Sequence, residues 1–462
     1  MSARAPMTIE EMAEKLAALE RANAALRAEN AGLRAELAHL KGEPPTDPSR
    51  PSGMTPPYEK ANAPRSPRWK KPGRPEGHQG AHRERPARVD RQVHHTLCRC
   101  PDCGTRLGRA RHRRKRYTED LPQVRPEVTE HEIDQYWCPN CRKAVEAPVK
   151  EALPRATLGL RVMVITAWMH YGLGVTVHNV VRWLRSVCDM EVTAGGLTLA
   201  WANLADRCRP LYEEIRQDAR GSAALHADET GWRVRGRTWW LWCFATPRLV
   251  YYVIAPSRAS PVILRVLGRW FEGVLVTDFY AAYNRVAAWA KQRCVAHLLR
   301  ELERVTERNP SDEWRGFARA VKRVFQDALR LHHERGGMSA ESFDRRWRGI
   351  SDRLDAVLRQ RYRDRDCNRL GARLGRHLFE LFTFLFHDGV DPTNNLAERM
   401  IRPAVVSRKN SYCNRSRHGA ETQAILMSVL RTLHLRGIDP VEHLVDSLGH
   451  HIESGEHLPM AA

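Results

Sequence analysis

The sequence predicts a multidomain α+β protein, on three observations. The chain has 462 residues, enough for about three compact units at roughly 100–200 residues each. Its apolar residues recur at helical spacing up to about residue 216, alternate as in strands after Gly221, and return to helical spacing after Leu299. Ahead of the first change stand two closely spaced cysteine pairs, Cys100 with Cys103 and Cys138 with Cys141. A formal net charge of +21 draws polyanions and suits nucleic acid better than an acidic partner. The longest apolar stretch, Leu158 to Val177, is interrupted by Arg161 and His170. A membrane-spanning helix needs about 20 apolar residues, so this stretch reads as a buried helix and no membrane association is expected. The N-terminus, MSARAPMTIEEMAEK, has neither an apolar core nor a small-residue cleavage site, which predicts a cytoplasmic protein. The 11 cysteines are an odd number and only four share a repeated close spacing, a usage that fits thiols plus a metal site rather than a disulfide framework.

Residues 1–42 are expected to form a coiled-coil helix. Met12, Leu19, Leu26, Leu33 and Leu40 recur every seven residues as a d-position ladder, and Leu16, Asn23, Asn30 and Leu37 fall at a. Asparagine at a fixes register and favours two strands at a cost in stability, so the expected assembly is a parallel homodimer or a higher oligomer built on it. The alternative is a single amphipathic helix lying on the chain's own core, but no apolar continuation follows it. Residues 43–92 contain EPPTDPSRPSG and RSPRWKKPGRPEGHQG, a basic, Pro-rich composition that buries too little apolar area to order itself and reads as a linker. From 51 to 120 there are 18 Lys and Arg against 7 Asp and Glu. Such a segment either tracks phosphates or is a solvated tether.

Residues 93–150 hold the knuckles Cys100-Pro-Asp-Cys103-Gly104 and Cys138-Pro-Asn-Cys141. Each puts two thiolates on one tight turn, and two such turns supply the four soft ligands of one tetrahedral structural Zn2+. Cys98 is a rival ligand, but the Cys-Pro-x-Cys symmetry favours Cys100. The residues between the knuckles are expected to form strands of a zinc-binding ribbon. Residues 151–216 read as helical: VHNVVRWLRSVC, DMEVTAG and GLTLAWANLADRC make a helix-turn-helix-like pair. Such a pair either places its second helix in a DNA major groove or is simply two packed helices.

Residues 217–298 then predict three antiparallel strands (SAALHADETGWRV, RTWWLWCFAT, LVYYVIAP), a helix (SPVILRVLGRWF), a buried strand ending at Asp278, a further helix, and the short strand QRCVAH. Asp228 lies on the first strand and Asp278 at the end of the fourth. Those two strands are neighbours in a ribonuclease-H-like α/β core, so this order would bring the two carboxylates together. A third is sought on a late helix, DPTNNLAERMIRP, where Asp391 is expected to cap, Pro392 to take the first helical position, and Pro403 to kink or end the helix. Asn395, Glu398 and Arg402 would share one face. Around them stand Arg399, Arg402, Arg408, Lys409, Arg415 and Arg417, expected in part to contact DNA phosphates and in part to be a solvated face. His226 and His297 either touch phosphate or water near the site or are satisfied core histidines. Trp232, Trp239, Trp240 and Trp242 read most simply as core or strand-face aromatics, the alternative being that one stacks on an unpaired base.

The heptad segment, the two knuckles, HADETGW, TDFYAAY and NNLAERMIRP, in this order, resemble the insertion-sequence-66 type of bacterial DDE transposase along nearly the whole chain. The resemblance implies that Asp228, Asp278 and Glu398 are a catalytic metal-binding triad. It implies that residues 299–390 are a helical insertion, 391–415 the catalytic glutamate helix and 416–462 C-terminal helices. The expected partners are DNA, both element ends and target, and accessory proteins of the same element. Cleaving a phosphodiester with water, then attacking another strand with the freed 3′ hydroxyl, needs a deprotonated oxygen nucleophile and a stabilised leaving oxygen. Two Mg2+ or Mn2+ ions roughly 3.5–4 Å apart do both, and hard carboxylates hold them. Two alternatives remain from the residues: a zinc-ribbon DNA-binding regulator without catalysis, and a ribonuclease-H-like nuclease without strand transfer.

Overall fold

The computed structural model describes Ala25, Glu29, residues 84–154 and 156–455, Leu458 and Met460. The expected coiled coil therefore lies outside the described residues, apart from Ala25 and Glu29, both helical, and so does the linker as far as residue 83. Two compact units, Met1–Glu119 and Asp120–Ala462, divide the chain.

In the first unit, the Cys100 knuckle closes through Gly104 N to Cys100 O (2.9 Å) and Cys100 N to Thr105 O (2.9 Å). Gly104 takes φ +73, a left-handed turn that glycine adopts without steric cost.

The second unit opens with a short antiparallel hairpin, β1 (Gln135–Cys138) and β2 (Lys143–Glu146), which carries the second knuckle between its strands. Of the ribbon strands expected between the knuckles, β1 is present next to the second knuckle, but among the described residues from 104 to 134 there is no strand, only the isolated bridge of Arg106 to Arg99. The run RARHRRKRYTEDLPQVRPEVTEHEID lacks the alternating apolar residues that would give a strand a face to bury.

Four helices follow: α1 (Leu160–Ala167), running into a π-helical turn (Trp168–Gly172), then α2 (Val177–Cys188), α3 (Ala194–Arg207) and α4 (Arg209–Arg220). The threonines before α2 and α3 cap them, Thr176 accepting from Asn179 N and Thr193 from Gly196 N. Two capped helices thus stand where the helix-turn-helix-like pair is expected. Leu160, Met163, Val164 and Ala167 are buried, while Arg161 reaches outward to Glu442. Among the described residues no helix is long and apolar enough to cross a membrane.

The central sheet has five strands: β3 (Ala224–Val234), β4 (Arg237–Thr246), β5 (Leu249–Ala255), β6 (Trp270–Thr277) and β7 (Ala287–Arg293). Their spatial order is β5-β4-β3-β6-β7. The first three are antiparallel, and β6 and β7 run parallel to β3. Arg235 and Gly236, at φ +51 and +74, form the two-residue β3–β4 turn whose twist matches the strands. Gly273 is required where β6 meets β3, since a Cβ there would lie 2.3 Å from Ser222 O. Helix α5 (Ser260–Leu267) makes the crossover to β6. Two expectations are corrected here. The helix after Asp278 is a single 3₁₀ turn, Ala281–Arg285, and the last strand runs from Ala287 to Arg293 rather than over QRCVAH, because Cys294 already caps the next helix.

That helix, α6 (Val295–Arg308), begins four residues before the expected helical stretch. With α7 (Asp312–Glu334), α8 (Ala340–Arg359), α9 (Arg365–Arg376) and the short α10 (Thr383–Phe386) it buries a second core around Trp314, Phe317, Phe325 and Phe384. This core reaches the sheet at Val274 and Val276 of β6. The chain then returns as α11 (Asn395–Ser411), α12 (Arg417–Leu435) and α13 (Pro440–Ser454). Helix α12 covers the β5 edge: Val250 N donates to Thr432 Oγ1 (3.1 Å) and Tyr252 N to Ser428 Oγ (2.9 Å). Hydroxyls thus satisfy strand amides that an open edge would leave to another chain.

Asn414, between α11 and α12, joins these helices to the sheet. It accepts from Trp232 Nε1 (2.7 Å) and donates to Gly419 O (3.1 Å) and Gln423 Oε1 (3.0 Å), while its backbone bridges Arg233 and Arg235. Asn414→Ala strands the indole N–H of fully buried Trp232, so a loss of about 2–4 kcal/mol is expected, read as a lower urea midpoint.

Candidate active site

The parallel register of β3 with β6 pairs Ala224 with Val274, Leu225 with Leu275 and His226 with Val276. Two residues further along, Asp228 stands level with Asp278, which follows the last residue of β6. Neighbouring strands lie about 4.8 Å apart, so two residues fifty apart in sequence end side by side. Side chains alternate across a strand, which sends His226 and Asp228 to one face and Glu229 to the other.

The third carboxylate arrives on α11, and a buried asparagine sets its position. Asn394 donates from Nδ2 to Ala227 O (2.8 Å), lies 3.3 Å through Oδ1 from His226 Nδ1, and gives its backbone N–H to Cys294 Sγ (3.1 Å). Glu398 therefore enters one turn beyond the point where α11 is fastened beside Asp228. The expected cap is corrected: the helix begins at Asn395, and Asp391 instead closes a turn by accepting from Thr393 N and Oγ1, both at 2.7 Å. Pro403 does not end the helix either, for α11 loses only the bond that proline cannot donate and continues to Ser411.

Burial, with the carboxylates of Glu229, Asp278 and Glu398 nearby, pushes the Asp228 carboxyl up to about 8. Asp228 therefore senses both other candidate acids, although among the described residues no three His, Cys, Asp or Glu side chains gather closely enough to hold one ion. Glu398 turns to α6: its Oε1 accepts from Arg300 Nη2 (2.9 Å) and lies 3.6 Å from His297 Nδ1. That nitrogen is buried and has no hydrogen-bond partner. Burial, and then the Arg300 charge, lowers the His297 pKa, and burial lowers that of His226.

Several residues that position the site carried no signal in the sequence. Arg293, fully buried on β7, donates to Asp278 O (2.8 Å), Thr277 Oγ1 (3.1 Å) and Asn284 Oδ1 (2.7 Å), and is neutralised by Glu380. Tyr280 N donates to Asp278 Oδ1 (2.8 Å). On the opposite face of β3, Glu229 is only 1% exposed and binds Arg258 (2.7 Å) and the Tyr283 hydroxyl (2.7 Å). The Arg258 guanidinium lies 4.1 Å over the Tyr280 ring and 4.5 Å over Trp240. One buried network thus holds the turn that carries Asp278. The acidic neighbour in HADET was its one visible trace, readable only from which face each residue takes. The tryptophans are structural as expected: Trp232 and Trp242 are buried, with Trp239 and Trp240 half-buried.

Of the basic residues, Arg399, Arg402, Lys409, Arg415 and Arg417 are exposed. Arg408 is instead spent within the fold, donating to Gly231 O and to Thr230 Oγ1 (3.3 Å). Helix α3, the second of the helix-turn-helix pair, bears only Asp206 and Arg207 as charges. The larger positive footprint is on α11.

The cysteine knuckles are a separate site. Hydrogen bonds from Thr105, then Cys100, lower the pKa of Cys103, and hydrogen bonds from Cys141 lower that of Cys138. Each turn ends on a left-handed residue, Gly104 or Arg142. Each therefore presents one thiol biased toward thiolate, the donor that zinc takes, beside a second cysteine on the same turn. The two pairs belong to different compact units.

Residues 155–422 match the family model described as "Transposase IS66 family", and residues 98–142 match that of the "zinc-finger binding domain of transposase IS66". Among curated proteins, the chain is 24% identical over 411 residues to the uncharacterized protein y4hP of Sinorhizobium fredii (strain NBRC 101917 / NGR234), covering 76% of this chain and 70% of that one. It is 26% identical over 272 residues to y4jD of the same strain (52% of each chain), and 27% identical over 302 residues to y4qI (56% of this chain, 53% of that one). The chain thus spans about half the length of the last two.

Proposed function

From the premise that this chain belongs to the IS66 family of transposases, we propose that it cleaves the ends of its own DNA element and joins them to target DNA by two-metal-ion phosphoryl transfer. The carrying observation is the register that sets Asp228 level with Asp278, with Glu398 near enough to raise the Asp228 pKa. The β5-β4-β3-β6-β7 order supports a ribonuclease-H-like core, with α7–α10 inserted before the glutamate helix. The donor set fits hard divalent ions: three carboxylates, one of them pushed toward its neutral form by burial and then by the neighbouring carboxylates of Glu229, Asp278 and Glu398. Asp228 would bridge two Mg2+ or Mn2+ ions, Asp278 would hold one and Glu398 the other. Bound there, the ions would supply the deprotonated nucleophile and stabilise the leaving oxygen.

The chain's own residues do the positioning. Arg293 and Tyr280 aim Asp278, Asn394 fixes the start of α11, and Arg300 pairs with Glu398. Exposed Arg399, Arg402 and Lys409 on α11, with Arg415 and Arg417 just beyond it, would take DNA phosphates, in a bacterial cytoplasm where the nucleoid is at hand. The deciding experiment incubates the protein with DNA bearing the sequences that flank its gene, with and without Mg2+ or Mn2+. Metal-dependent cleavage with strand-transfer products supports the reading. Cleavage without joining leaves a nuclease, and binding without cleavage leaves a regulator.

The knuckles supply one structural zinc per chain through Cys100, Cys103, Cys138 and Cys141, since a tetrahedral site needs all four thiolates. Elemental analysis should find one zinc, and Cys103→Ser should lower that content at least tenfold. Zinc-free protein with the 84–150 segment equally resistant to protease would overturn this. The segment 1–42 is proposed as a parallel coiled coil, so its removal should reduce the mass in solution to a smaller multiple of the chain. An unchanged multiple would place the contact elsewhere.

A further inference from the structure

We propose that Tyr412 stacks on an unpaired DNA base at the far end of a basic track that runs along α11 from Glu398. The inference rests on the transposase reading and adds the residue that recognises a distorted or single-stranded portion of the substrate.

Tyr412 is the residue at which α11 ends, at φ +56, and Cys413 follows at φ +67. Helices commonly end in this left-handed conformation, but glycine is the usual occupant and a bulky side chain is strained there. The fold would be served as well or better by glycine, yet the position holds an aromatic ring that is 90% exposed. The mount is firm. Tyr412 N donates to Arg408 O (3.0 Å), Arg408 is fastened to β3 through Gly231 O, and Asn414 fastens the chain to β3 again two residues on. A strained residue held out by a rigid support is a common arrangement at ligand clamps.

The surroundings identify the ligand. Arg402 and Lys409 follow Glu398 by four and eleven residues, which puts all three on one face of α11, and both cations are exposed. Arg415 and Arg417 are exposed just beyond the ring. Tyr412 lies fourteen residues from Glu398, about 21 Å at 1.5 Å per residue. At about 3.4 Å per nucleotide that is roughly six nucleotides of a strand whose scissile phosphate sits at the carboxylates. A flat ring set among cations along such a path matches the aromatic platforms that stack bases in single-stranded DNA channels.

The test uses the full chain and two DNAs of mixed sequence: a blunt duplex, and the same duplex with a single-stranded tail carrying a fluorescent purine. The wild type should bind the tailed DNA more tightly and quench the purine. Tyr412→Gly should lower affinity for the tailed DNA roughly tenfold and abolish the quench. It should leave duplex affinity and its salt dependence unchanged, and leave the urea midpoint unchanged or higher, because glycine relieves the strained cap. Tyr412→Phe should behave as the wild type. Equal tailed-DNA affinity in wild type and Tyr412→Gly, with duplex binding intact, overturns the stacking role and leaves the transposase reading standing. So does a Tyr412→Phe variant as weak as the glycine one, or a lowered urea midpoint in Tyr412→Gly. A wild type that binds neither DNA removes both.

Discussion

Alanine at Asp228, Asp278 or Glu398, one at a time, is expected to slow DNA cleavage and joining by at least about a thousandfold, equivalent to some 4 kcal/mol of lost transition-state stabilisation. Affinity for DNA should stay within about twofold, because the exposed basic residues of α11 and beyond are untouched. The three variants should differ in one respect. Removing Glu398 also releases Arg300, so only that variant leaves a cation without its carboxylate partner, and its residual metal affinity should be the lowest. Measuring single-turnover cleavage and Mn2+ binding for all three separates these effects. Full activity in Asp228→Asn would remove the basis of the catalytic reading.

Without metal, the wild type should lose stability as pH rises from about 4 to about 8. The Asp228 carboxyl is raised to about 8 by burial and by Glu229, Asp278 and Glu398, whereas in the unfolded chain it titrates near 3.9. Between those values the folded protein holds a proton that the unfolded chain has released, so each rise in pH favours unfolding. The stabilising contribution of the proton is fully present below about 4 and gone above about 8. Asp228→Asn keeps an oxygen to accept from Glu229 N, as Asp228 Oδ1 does at 2.9 Å, and removes the charge. That variant should lack this slope, and at pH 8 it should be the more stable protein by on the order of 2–4 kcal/mol. Urea unfolding with a chelator at pH 5 and pH 8 reads the difference. Adding Mg2+ at pH 8 should restore the wild type and leave the variant behind. Parallel pH profiles for the two proteins would show that the Asp228 carboxyl is not raised in the folded state.

The sequence determined the elements whose signal is local. Alternating apolar residues specified β3, β4 and β5, and the turn at Arg235-Gly236 followed from a polar break between two strands. The Asp228 and Asp278 pairing was also legible, because strand order limits which strands can be neighbours. Only the tertiary structure decided what depends on side chains distant along the chain. Asn394, not Asp391, sets the start of α11, since its partners Ala227 and His226 lie more than 160 residues away. Arg293 could not be told from a surface arginine until Glu380, Asn284 and Asp278 surrounded it. The helix persists through Pro403 because its packing outweighs one missing hydrogen bond. Local propensity is worth tenths to about one kilocalorie per residue, and about three for a proline inside a helix, whereas burying a charge or a polar amide costs several unless it is paired, so for Asn394 and Arg293 the distant partner decides.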